Sequence, residues 1–419
     1  VMAILRLALQ SLKNRKTTAL LTIITVAVSV ALLLGVERVR TQAKESFANT
    51  ISGTDLIVGA RSGQVNLLLY SVFRIGNATN NIDWQSVEDI RNHPAVAWSI
   101  PISLGDSHRG FRVVGTTQDY FDHYRYGKKQ PLTFASGKPF SGLFDTVIGS
   151  EVAKKLGYKL GDDIVIAHGL SDKSFSRHDN LPFKVTGILA PTGTPVDRSV
   201  HVSLQAIDAI HIGWESGANM GHGVKAENID PDSLHPEQVT AVLLGLKSRI
   251  QTFALQRTIN EYRQEPLTAI MPGIALHELW GLMSVAEQAL LVVSGFVVVA
   301  GLMGMLSSLL TGLNERRREM AILRGMGARP SHIFFLLVSE AVLLTLLGIA
   351  LGIGLLLMLI SAAAPFVLSE YGLQLSATFL TEHEWKLMGI VLLAGIVVGV
   401  FPALRAYRQS LSDGMTIRI

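Results

Sequence analysis

The chain has 419 residues, a formal charge of +4 and no cysteine, which excludes a disulfide framework and a thiolate metal site. Charged residues make up 17% of it and hydrophobic ones 48%, against about 25% charged in soluble domains; the mean hydropathy is +0.36. The shortage of charge falls in four apolar stretches with basic residues beside them, which is a membrane-topology pattern and not the basic, aromatic-studded patch of a nucleic-acid binder.

In chain order, MAILRLALQSL places apolar residues on one helical face, and residues 1–16 are expected to lie in the membrane interface. Residues 17–36 carry no charge and are long enough, at about 1.5 Å per residue, to cross a bilayer. Arg6, Lys13, Arg15 and Lys16 precede this span; Glu37, Arg38 and Arg40 follow it with no small-residue cleavage site, so it reads as an uncleaved anchor. Residues 37–54 are polar and helix-compatible and read as a stalk. Residues 55–236 alternate short β-rich runs (DLIVGA, FRVVGT, DTVIGS, DIVIAHG, FKVTGIL, SVHVSL) with helical candidates at 84–92 and 150–156, an α+β pattern. Residues 237–287 read as return helices interrupted at Pro266 and Pro272. The second span, 288–314, lacks Asp, Glu, Lys and Arg altogether.

Residues 315–329 then read ERRREMAILRGMGAR: an arginine cluster, an amphipathic helix and a glycine-rich turn. Positive-inside bias explains the arginines alone but requires neither the glutamates nor the glycines. The segment therefore suggests a short cytoplasmic helix offered to a partner groove. The third span, 330–368, starts with Pro330 in a first-turn position, contains one acid, Glu340, and is expected to end at 362–365. The loop 369–386 has Glu370, Glu382 and Glu384 against Lys386. The fourth span, 387–404, is followed by a tail, 405–419, with Arg405, Arg408 and Arg418. The basic flanks put both termini and the arginine loop in the cytoplasm and residues 37–287 outside. The expected fold is thus an α-helical membrane protein with four transmembrane helices and a large α+β extracytoplasmic, periplasmic domain between helices 1 and 2.

No G-x-x-x-x-G-K-[ST] loop, HExxH pair or G-x-S-x-G elbow is present in the sequence, so the residues suggest a non-catalytic subunit that binds no nucleotide itself. Glu340 reads as a structural acid near the cytoplasmic interface, paired with an arginine of the 315–329 segment, because no second intramembrane acid accompanies it for a proton relay. Eleven of the twelve histidines fall outside on this topology. His168, His178 and His201, near Asp179 and Asp197, are candidate zinc ligands, although their irregular spacing suits hydrogen-bonded histidines better. TGTPVD, at 192–197, reads as a tight turn. GLMGMLSSLLTG and GIALGIG carry small residues that permit close helix packing.

A single span, a large external domain, three further spans, and E-R-x-x-E-x-x-x-L-R-x-x-G-A after the second span resemble the FtsX-like permeases of ABC transporters. That group includes the macrolide exporter MacB and the lipoprotein-release permeases. The resemblance runs through ERRREMAILRGMGARPSHIFFLLVSEAVLL, GVFPALRAYRQ, DLIVGARSG and GSEVAKKLGYKLGDDI; Ser410-Leu411-Ser412 stands where a proline is common. It implies an inner-membrane dimer, homo- or heteromeric, with a cytoplasmic ABC ATPase dimer that carries the ATP and Mg. It also implies that ATP-driven closure moves the external domains, without substrate passing a central pore. On this reading Glu315, Arg316, Arg317, Glu319, Met320, Ile322, Leu323, Arg324, Gly325 and Gly327 form the ATPase-coupling segment. The expected function is export or extraction of an amphipathic cargo (lipoprotein, peptide, lipid or drug), with membrane lipid and a periplasmic or lipoprotein component as further partners and no nucleic acid. Two other functions share the membrane half: a signalling or scaffold protein activating a periplasmic partner, and a zinc-handling component.

Overall fold

The computed structural model describes all residues except 1–9, 11, 14, 169–180, 213–228, 230–233, 316, 372–374, 378–379 and 409–419. Much of the expected interfacial helix, His178, Arg316 and the tail beyond Arg408 therefore lie outside the described residues. The elements in chain order are α1 (Lys16–Thr50), β1 (Leu56–Ala60), α2 (Gln64–Ser71), β2 (Ile82–Asp83), α3 (Trp84–Arg91), β3 (Val96–His108), β4 (Phe111–Thr116), α4 (Asp119–His123), β5 (Arg125–Tyr126), β6 (Gln130–Pro131), β7 (Phe134–Gly137) and β8 (Asp145–Ile148). They continue with α5 (Ser150–Leu156), β9 (Asp163–Ile164), β10 (Ala167–His168), β11 (Phe183–Leu189), β12 (Ser199–Ser203), α6 (Leu204–His211), β13 (Gln238–Val239), β14 (Ala241–Leu246), α7 (Thr252–Asn260) and β15 (Leu267–Ile270). The last four are α8 (Pro272–Glu315), α9 (Arg317–Gly325), α10 (Pro330–Tyr371) and α11 (Glu382–Arg408). The chain divides into two compact units: 1–42 with 284–366 and 375–419, and 43–283 with 367–374.

In the second unit one sheet runs β15-β1-β14-β3-β4-β12-β8-β11-β7, with β10 added on β3 and β9 on β11. The β4–β12 and β8–β11 pairs are parallel and the others antiparallel. Side chains alternate across a strand, and here both faces are covered. Ile57, Ala241 and Leu243 point into one core with α2 and α4, whereas Leu56, Val58, Val242 and Leu244 point into another with α3 and α7. A third core gathers Val200, Val202, Ile148 and Phe183 under α5 and α6. β3 serves both halves of the sheet: it pairs with β14 through Ile102, then shifts register between Leu104 and Ser107 as it pairs with β4.

The structure corrects the reading of 237–287. That stretch opens with β13 and β14 and contains β15; its helical parts are a 3-10 turn at Arg249–Gln251, α7 and the start of α8. AVLLGL is an apolar run that suits a helix or a strand on local grounds, and insertion between β1 and β3 decides for the strand. Pro272 takes the first-turn position of α8, where its missing N–H leaves no helical bond unmade.

In the first unit α1, α8, α10 and α11 are each long and apolar enough to cross a membrane. Their contacts follow small residues. A Cβ on Gly352 would lie 2.7 Å from the Ala27 carbonyl and 3.0 Å from Val30, and one on Gly35 would lie 3.3 Å from Leu356, so α10 packs closely on α1. Gly395 and Gly399 of α11 face Thr345 and Ala341 of α10. Ser29 of α1 donates to the Val297 carbonyl of α8 at 3.1 Å, and Thr22 to the Ser308 hydroxyl at 3.1 Å. α10 does not stop at 362–365 as expected. It passes through Pro365 to Tyr371, since a membrane helix tolerates a proline whose freed carbonyl finds other partners.

Candidate functional site

Residues 317–325 form the helix α9, closed by a turn in which the Met326 N–H donates to the Ile322 carbonyl at 2.9 Å and the Ala328 N–H to the Leu323 carbonyl at 3.0 Å. Gly327 sits at φ +99°, where a side chain would be strained, and Pro330 then starts α10. Met320 packs against Leu313, Ile333, Leu337, Ala403 and Ala406. Leu323 is half-buried, and the Arg324 Nη2 donates to the Ala406 carbonyl at 2.9 Å, tying the segment to the end of α11. Ile322 and Met326, four residues apart, are 55% and 73% exposed. Gly325 is also exposed. The side chains of Glu315, Arg317 and Glu319 lie outside the described residues.

Arg324, expected as a coupling residue, thus also braces the segment within the membrane unit. The side chains of Arg316, Arg317 and Arg318, from which the arginine expected beside Glu340 could come, lie outside the described residues. Glu340 is 5% exposed and lines a cavity of about 20 Å³, room for one water molecule, together with Arg15, Thr18, Ser308 and Gly312. Among the described residues lining that cavity, the cation is Arg15, ahead of α1.

A second charged cluster joins the C-terminal half of α1 to the start of α11. Arg38 Nε and Nη2 donate to Glu384 Oε1 and Oε2 at 2.8 and 2.9 Å, with side chains only 3% and 1% exposed. Glu384 also accepts from the Thr381 N–H at 2.7 Å while its own N–H donates to the Thr381 hydroxyl at 3.3 Å, a reciprocal cap at the head of α11. Arg40 Nη2 donates to Glu37 at 2.8 Å and Nη1 lies 3.6 Å from Glu287 of α8. His383 approaches Glu37 at 3.6 Å. Gln42 donates to the Ser376 carbonyl at 2.9 Å and accepts from its N–H at 3.2 Å. Sequence reading saw these residues only as span flanks; the T-x-x-E spacing of Thr381 and Glu384 was the signal that could have exposed the cap.

In the second unit His201 is fully buried on β12. Its ring lies 4.9 Å from that of Tyr120 and its Nδ1 is 3.2 Å from the Val147 carbonyl. Burial, reinforced by the Arg74 charge, pulls its pKa down to about 3, so it is a neutral core ring. His168 belongs to β10 and its side chain lies outside the described residues, as does all of His178. Among the described residues no three His, Cys, Asp or Glu side chains gather to hold a metal ion. The TGTPVD turn is organised by Asp197, which accepts from the Thr192 and Gly193 N–H groups at 2.8 and 2.7 Å; burial raises its pKa against these bonds. Asp208 on α6 is raised to about 6 by burial and the Glu237 charge.

Four apolar helices with an α/β domain inserted after the first, and a short helix between the second and third, define a membrane permease. Residues 291–412 match the family described as FtsX-like permease C-terminal and residues 18–261 that described as MacB-like periplasmic core domain. The chain belongs to this FtsX-like, MacB-type permease family of ABC transporters. It is 23% identical over 424 residues to the macrolide export ATP-binding/permease protein MacB of Shewanella sp., covering 98% of this chain and 60% of that protein. A MacB 2 of Yersinia pestis bv. Antiqua is 25% identical over 325 residues, 75% of this chain and 42% of that one. The chain therefore spans about 60% or less of the length of these relatives. Among solved structures, the periplasmic region of MacB from Actinobacillus actinomycetemcomitans aligns with 55% of this chain and 94% of its own, at 9% identity and a TM-score of 0.35.

Proposed function

We propose that this chain is the membrane subunit of an ABC transporter that couples ATP hydrolysis on a separate cytoplasmic ATPase dimer to movement of its α/β domain outside the inner membrane, acting on an amphipathic cargo. The observation that carries this reading is the 315–329 segment. Its helix is held from behind by Met320 and Arg324 and presents Ile322 and Met326 outward as an apolar pair. Amphipathic helices dock in grooves through such pairs, and flanking charges set register and specificity. These 419 residues contain no phosphate-binding loop, so the nucleotide, with its Mg, has to sit on another polypeptide segment. The permease works as a dimer, and the relatives' names, which join ATP binding to macrolide export, favour a drug-like or lipid-like cargo.

The test separates docking from folding. Combined charge reversal of Glu315, Arg316 and Glu319, together with Ile322→Asp, is expected to abolish co-purification of the ATPase while the permease still elutes as one folded species. Arg324 is left intact because its substitution would disturb α11. Retained co-purification with unchanged ATP turnover would remove the coupling assignment.

A further inference from the structure

The cavity that holds Glu340 is walled by three stretches of chain. Arg15 stands just ahead of α1 and Thr18 lies in its first turn, Ser308 and Gly312 come from α8, and Glu340 from α10. Among the described residues that line it, Arg15 and Glu340 are the only charged ones, and most of the remaining wall is leucine. A lone charge is costly in such surroundings, and an opposite charge in the same space offsets that cost. Arg15 enters over Gly312: a Cβ on Gly312 would collide with the Arg15 Nη1. Gly304, about two turns back on the same helix, meets nothing within 4 Å. On either side of the arginine, Leu12 and Ala19 pack against the cluster of Leu309, Ala341 and Leu344, so the backbone that carries Arg15 is held against α8 and α10.

The same cavity borders the base of α9. Leu313 and Leu337 line it, and both belong to the cluster on which Met320 packs. Whatever fixes Arg15 and Glu340 therefore fixes the floor under Met320. Ile322 and Met326 are the exposed apolar residues of the segment that rests on that floor.

We propose, resting on the transporter reading above, that Arg15 and Glu340 form a buried ion pair admitted by Gly312, and that this pair positions the coupling helix for its partner. Arg15 is then a positioning residue far from the 315–329 segment in sequence. It acts through Leu313, Leu337 and Met320, without touching the ATPase.

A buried pair has a signature that packing alone lacks: removing one charge is costly, whereas removing both is mild. Arg15→Met, Glu340→Leu and the double variant are compared in the full chain; Lys13 and Lys16 keep the basic flank that sets topology. Each single change is expected to weaken ATPase binding about tenfold or more and to lower the melting temperature in detergent by about 5 °C or more. The double variant is expected to stand within about threefold and about 2 °C of the parent. Gly312→Val is expected to reproduce Arg15→Met and to add little on top of it, and Gly304→Val to be silent. A spin label on a single cysteine at position 322, which is 55% exposed, reads the helix without any ATPase. Its spectrum is expected to gain a mobile component in each single variant and to lose it in the double. Additive losses, the pattern if an arginine of 316–318 holds Glu340 instead, overturn the pair, as do single variants that match the parent. A coupled melting pattern with unaltered ATPase affinity and label mobility overturns the positioning role. If a single variant does not fold, a folded double variant supports the pair and an unfolded one overturns it. If the parent itself binds no ATPase, the transporter reading fails on that ground, and the label at 322 still decides for or against the pair.

Discussion

His201 shows how burial, reinforced by a nearby positive charge, can change what a residue does. Its folded pKa of about 3 lies below the ordinary value of about 6.5. The unfolded chain therefore binds a proton that the folded one refuses. Stability from this group is complete above pH 6.5 and is lost as pH falls from there to about 3, on the order of 4 kcal/mol by the lower end. Asp208 has the opposite sign. Its folded pKa of about 6 means that the folded chain holds the extra proton, and stability declines as pH rises from about 4 to 6. Thermal melts between pH 4 and 7 test both. His201→Leu is expected to flatten the acid loss, and Asp208→Asn to remove the opposing decline. A wild-type acid slope in the His201 variant would contradict the assignment.

At the element scale, the head of α11 concentrates several duties on Glu384: it caps its own helix and neutralises Arg38. Glu384→Ala is expected to lower unfolding stability in detergent by about 3–5 kcal/mol, because it leaves a buried guanidinium unpaired. Arg38→Met with Glu384→Leu removes both charges and is expected to be far milder. Equal losses for the single and double variants would mean that the pair contributes packing only. The α1–α10 contact depends instead on the absence of a side chain. Gly352→Leu has to displace Val30 or the Ala27 carbonyl and is expected to cost about 1–3 kcal/mol by overpacking, read as a lower melting temperature, whereas the same change at Gly354, where the added carbon meets nothing within 4 Å, is expected to be silent.

For the whole molecule the testable issue is sidedness. Single cysteines placed in this cysteine-free chain report it cleanly. On the proposed orientation an impermeant maleimide labels position 250 or 253 in intact cells, both exposed on the second unit, and labels position 322 only after lysis. Labelling of 322 from outside would invert the topology. The spans and the inserted domain were legible because hydropathy and charge act over whole segments of about 20 residues. The 150–156 helix and the β11 and β12 strands were legible because local pattern and tertiary need agree there. β3 was hidden by Pro101 and Gly105, and β14 by an apolar run without alternation.

Sequence by itself determined the four membrane spans, the α+β class of the insert and the amphipathic segment after the second span, since each follows from composition or periodicity within one continuous stretch. Only the tertiary structure decided that Glu340 shares its cavity with Arg15, that Arg324 braces α11, that His201 is a core ring and that Arg38 meets Glu384 across 346 positions of chain. Those outcomes depend on which distant side chains reach one another as the backbone closes. Pairing of buried charges is enforced by desolvation, and desolvation does not exist until the surrounding helices and strands have packed.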